Sequence, residues 1–181
     1  VTSNQTGRLI GAIFGLVFVA ANAGTLPTVA AVPLRVLAVV SFVALFIALR
    51  RTRTTPAADD ESMGAAAAAA APKRFGRGYR LVVAAEVVAA LAGFLVITRV
   101  LHAPQASVAW LSLVVGLHFF GLAAVWRMPS LRWLAAAMTA CGAAGLVLAA
   151  CGASLAVIAT VAGIAPGALL LGAVWWSLRT P

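Results

Sequence analysis

The chain has 181 residues, of which 64% are hydrophobic types and 9% charged. A soluble domain is about half apolar and about a quarter charged, so this composition excludes an ordinary water-soluble globule and points to a bilayer. Lys and Arg number 13 against 4 Asp and Glu, a formal +9, and two Cys are too few for a disulfide framework or a cysteine-built metal site.

A membrane-spanning helix needs about 20 mostly apolar residues. Six segments qualify: 9–26, 29–49, 81–100, 108–126, 131–151 and 155–178. The fold class that follows is all-α, a polytopic transmembrane helical bundle. Arg8 ahead of the first segment, with Ala21-Asn22-Ala23 near its end, resembles a secretory leader and its cleavage site. A second span follows directly behind the Pro27 turn, however, and only one basic residue precedes the first, so a retained helix is expected.

Residues 50–78 differ in composition from their surroundings. Their ends are basic, their centre carries Asp59, Asp60 and Glu61, and a run of Ala from Ala65 to Ala71 is closed by Pro72. So short an Ala run does not hold a helix in water, and the stretch reads as a disordered cytoplasmic linker. It sets spans one and two (1–49) apart from spans three to six (79–181), a 2+4 arrangement.

The basic residues fall between apolar segments and no recognition module accompanies them, so nucleic acid is not an expected partner. They act as topology signals. One side of the six-span scheme collects Arg8, Arg50, Arg51, Arg53, Lys73, Arg74, Arg77, Arg80, Arg127, Arg132 and Arg179, and the other only Arg35 and Arg99. Because Lys and Arg are retained on the cytoplasmic face, both termini are expected in the cytoplasm, with the basic loops against anionic lipid headgroups. Twelve of the thirteen basic residues are Arg, a bias that suggests a high-GC bacterium and its inner membrane.

Glu86 is the sole carboxylate inside any predicted span, and an ionisable residue there is a functional candidate by default. Counted from Arg80 at about 1.5 Å per residue, it lies roughly 9 Å into the membrane. His118, eight residues before Trp126, comes to about 12 Å from the same face, and Thr139 to about 13 Å. Spans three and four are joined by a short loop and are antiparallel neighbours, so Glu86 and His118 are expected to touch. Pro166 lies in the same half of span six and deprives the carbonyl near Ala162 of its usual donor. If these four features face one another they form a polar pocket with the makeup of a proton relay. The plainer alternative is a packing hydrogen bond worth about 1 kcal/mol.

A second polar cluster is expected at the opposite face, from Asn22, Arg35, Thr98, Arg99, His102 and Gln105. Its Arg residues read chiefly as headgroup anchors, with Arg35 a candidate partner for Asn22. Gly11-x-x-x-Gly15, Gly163-x-x-x-Gly167, and Gly142 with Gly145, suit close helix approach. Trp110, Trp126, Trp133, Trp175, Trp176 and Tyr79 are expected in an interfacial aromatic belt. Cys141 and Cys151, about 15 Å apart along one helix, are assigned to packing. Val114-Val115-Gly116-Leu117 and Val161-Ala162-Gly163-Ile164 form a weak internal echo.

The stretch Gly116-Leu117-His118-Phe119-Phe120-Gly121-Leu122-Ala123, one span after Glu86, resembles a motif of small, uncharacterised multi-pass bacterial membrane proteins. That resemblance implies no activity, cofactor or metal. With no nucleotide loop, nucleophile elbow or metal-ligand motif in the chain, the expected function is that of a non-enzymatic accessory or assembly subunit, as a homodimer or within a larger membrane complex. The alternatives are a small proton-coupled transporter of an apolar or cationic compound, using Glu86 and His118, and an intramembrane lipid or isoprenoid enzyme, which would need a second acid.

Overall fold

The computed structural model describes residues 3–51 and 76–179. Six helices in it are long and apolar enough to cross a membrane. They are α1 (Ser3–Asn22), α2 (Thr28–Arg51), α3 (Arg77–Val100), α4 (Ser107–Val125), α5 (Ser130–Ala150) and α6 (Leu155–Arg179). The chain is an all-α, multi-pass membrane bundle. Most of the stretch read as a linker lies outside the described residues. At its ends, Arg50 and Arg51 belong to α2, and Arg77 and Gly78 to α3.

Turn chemistry sets where the helices stop. α1 ends in a short 3-10 turn, Ala23–Thr25, ahead of Pro27. α4 and α5 end in matching left-handed caps. Arg127 (φ 54°) follows α4, with Met128 N–H bonded to Ala123 O at 3.1 Å, and Gly152 (φ 73°) follows α5, with Ala153 N–H bonded to Leu148 O at 2.9 Å. These 6→1 bonds satisfy carbonyls that the helix end would orphan. His102 (φ 50°) is also left-handed after α3, where the closing bond, Ala103 N–H to Ile97 O at 3.0 Å, is one residue wider.

The core is organised around α6, of whose apolar span 56% is buried, against 6% for α3. The two GxxxG motifs face each other across α1 and α6. A Cβ on Gly15 would stand 2.9 Å from Gly167 O, and one on Gly167 would stand 2.8 Å from Gly15 O, so the backbones touch. Arg8 Nη2 donates to Ser177 O at 2.6 Å, placing a cation on the C-terminal turn of α6, where the helix dipole favours it. The first helix thus docks on the last, antiparallel to it, and this intramolecular contact occupies both glycine motifs. Ala12, Val19, Ala38, Leu45, Leu171 and Val174 complete the α1–α2–α6 core.

α4 and α5 form the other close pair. Gly142 lies against the backbone of Leu113 and Gly116 against Thr139, while Gly145 meets Ala109 and Ala162, joining α4, α5 and α6. Val115, Met138 and Leu170 fill the space below. α3 packs on α4 at the rim of the bundle, with Val82 seated on Gly121. Gly116 and Gly163, matched in the internal echo, meet different partners: Thr139 and Asn22.

Candidate functional site

α3 and α4 run antiparallel, and the helical rise that puts Glu86 and His118 at like depth also brings their side chains together. Glu86 Oε2 lies 2.9 Å from His118 Nδ1. The groups are near enough for an ion pair, but their angles fall short of a hydrogen bond, and the buried Nδ1 has no hydrogen-bonding partner. His118 is 12% exposed and Glu86 23%, so the carboxylate is the outer member of the pair, at the lipid-facing edge of α3. Phe119 stands edge-on to the imidazole, with ring centroids 5.8 Å apart. A carboxyl and an imidazole at this separation have the chemistry to share a proton. Two ligands do not make a metal site, and no cluster of three His, Cys, Asp or Glu occurs among the described residues.

Thr139 and Pro166 occupy other surfaces of the same layer. Thr139 lies against Gly116, and its buried Oγ1 makes no hydrogen bond. Pro166 is fully buried in α6 and acts through the carbonyl it leaves short of a donor. Ser112 Oγ of α4 donates to that carbonyl, Ala162 O. Ser112 is completely buried, the one such polar residue among the described residues, and it stands on a different face of α4 from His118.

Sequence reasoning identified the orphan carbonyl but not the serine that serves it. A hydroxyl in the most apolar part of α4 is the signal that would have found it. Just before Pro166, α6 passes through a π turn at Thr160–Ile164, and α3 ends in another at Val96–Val100. A π turn closes backbone bonds one residue wider than an α-helix, here from Ala165 N–H to Thr160 O and from Leu101 N–H to Val96 O. Each has a threonine that donates to the carbonyl four residues back, Thr160 to Ala156 O and Thr98 to Phe94 O, both at 2.7 Å.

The polar residues of the opposite face form local bonds at two separate helix ends. Asn22 Nδ2 donates to Phe18 O at 2.8 Å while its side chain packs on Gly163. Arg35 Nε donates to Ala20 O at 3.1 Å, so both serve the last turn of α1, and Arg35 binds backbone there rather than the Asn22 amide. Arg99 is exposed on the π turn of α3, and His102 Nδ1 sits 3.2 Å from Val100 O.

The expected aromatic belt divides as well. Trp133 and Trp176 are 82% and 70% exposed, and Tyr79 stacks on Trp126 with centroids 6.1 Å apart. Trp110 and Trp175 turn inward instead. The Trp110 indole lies over Gly93 and donates to Ala89 O at 3.2 Å, and Trp175 Nε1 donates to Ser41 Oγ at 2.9 Å. Gly93 was the available clue, since a glycine amid bulky residues leaves room for a ring.

No protein-family model matches the chain, and neither a curated protein nor a solved structure matches it.

Proposed function

We propose that the chain is a multi-pass protein of a bacterial inner membrane, with both ends cytoplasmic, that serves as a non-enzymatic accessory or assembly subunit. The observation that supports this reading is the position of α3. Only 6% of its apolar span is buried, yet it carries Glu86 at its edge. A helix held so lightly presents most of its surface to its membrane neighbours, and a carboxylate beside that surface gives a partner something specific to recognise. Elsewhere Ser112, Asn22, Arg8 and Arg35 bond carbonyls of their own bundle. The Arg-rich face lies against anionic headgroups.

The test places a photocrosslinking residue at Val88 or Leu91 on α3 and, as a control, at Leu37 or Val40 on α2, all exposed. The accessory role predicts protein adducts from α3, at twice the chain mass for a homodimer and at another mass for a different subunit. Lipid adducts alone from both helices would overturn it.

A second reading, a small proton-coupled carrier of an apolar or cationic compound, is favoured by the 2.9 Å approach of Glu86 to His118. It predicts pH-dependent flux in proteoliposomes of the protein alone, abolished by Glu86→Gln. An absence of flux at any pH would leave the accessory role in place.

A further inference from the structure

A cavity of about 200 Å³ lies between α3 and α4, lined by Ala90, Phe94, Ser107, Val108, Trp110 and Leu111. It is separate from the Glu86–His118 contact and nearer the Arg-poor end of the bundle, where α4 begins. Four features define its chemistry. Its walls are apolar apart from Ser107. Ser107 Oγ is buried and without a hydrogen bond, a state that is unfavourable for a hydroxyl if nothing fills it. Phe94 and Leu111 are both exposed on the bundle's flank, so the cavity opens sideways toward the bilayer. The Trp110 indole is fixed by its bond to Ala89 O, which makes one wall rigid.

For scale, an apolar cavity of roughly 150 Å³ takes up a benzene ring. This one has room for a short length of hydrocarbon chain. Ser107 is the first residue of α4, and Leu111 lies one turn deeper, about 6 Å along the axis. The hydroxyl is therefore at the shallow end and the apolar walls run inward, which is the polarity of a lipid lying parallel to its neighbours.

We infer that this cleft binds one membrane lipid, its apolar chain between α3 and α4 and an oxygen of its head or linkage hydrogen-bonded to Ser107 Oγ. The ligand chemistry is a flexible hydrocarbon ending in an oxygen near the interface. An acyl phospholipid and a polyprenol both present it, and Arg99, exposed at the same end of α3, favours the anionic phospholipid.

The test is native mass spectrometry of the full chain released from detergent micelles, with either an oleoyl phosphatidylglycerol or a polyprenol added as probe. One lipid should remain bound per chain, and whichever probe forms the retained adduct identifies the source. Ala90→Phe, which fills the cleft, should remove that adduct, while Val36→Phe on the exposed face of α2 should leave it. Ser107→Ala keeps the cleft open and should weaken retention, and this variant carries the test if Ala90→Phe does not fold. The inference is overturned if wild type retains no lipid, or if the adduct survives unchanged in Ser107→Ala and in the cleft-filled protein.

Discussion

α3 and α6 are both apolar spans of similar length, yet they have opposite positions in the bundle. α3 is the more hydrophobic, with mean hydropathy 2.5 against 2.1, and has 6% of its span buried, whereas α6 has 56%. In water the ranking would run the other way. In a bilayer the lipid is as apolar as leucine, so hydrophobicity gives no reason to leave it, and helices associate where small residues allow close backbone contact or where polar groups bond across. α6 has both: Gly163 and Gly167 receive Asn22 and Gly15, and the Ala162 carbonyl receives Ser112. α3 presents Val87, Val88, Leu91 and Leu95 outward, and is held through Gly93, Glu86 and the Val82 contact with Gly121.

This contrast can be tested from its strongest claim to its weakest. Gly167→Leu forces side-chain atoms into the backbone of α1 and should cost about 3 kcal/mol, measured by unfolding in mixed micelles. Gly172→Leu, in the same helix but with open space around it, should stay within about 0.5 kcal/mol. Equal losses at the two glycines would mean that the α1–α6 crossing is not what anchors α6.

Ser112→Ala leaves the Ala162 carbonyl without its donor and should cost about 1–2 kcal/mol. The loss should shrink in a Pro166→Ala background, where an N–H returns to serve that carbonyl, and a double-mutant cycle reads the difference. Additive losses would show that the serine acts by packing alone. On the rim, Trp110→Phe removes one interhelical hydrogen bond and should cost about 0.6–1 kcal/mol. Glu86→Gln and His118→Gln should each cost less than about 1 kcal/mol, with the double mutant no worse than either single. If either destabilises the bundle as much as Ser112→Ala, α3 is anchored as firmly as the core and the contrast fails.

Much of the fold was readable because the bilayer fixes helix length, and apolar runs of that length leave few alternatives. Depth was readable for the same reason. Counting the rise from Arg80 and from Trp126 placed Glu86 and His118 level with each other, and they meet. What depth cannot supply is rotation about the helix axis. In helices apolar on every side, no hydrophobic face marks which way a residue points. Thr139 and Pro166 therefore share a layer with Glu86 while serving other surfaces, and Trp110 and Trp175 turn inward although their positions suit an interface. The GxxxG motifs announced close approach without naming a partner, and only packing shows that each is the other's.

The pairing of α1 with α6 also orders events during synthesis. Arg8 and Ser177 are 169 positions apart, so α1 enters the membrane long before its main partner exists. At a translation rate of about 5–20 residues per second, it waits about 10–30 s for α6 to emerge. Throughout that interval its glycine face is uncovered, and the centre of the bundle forms last.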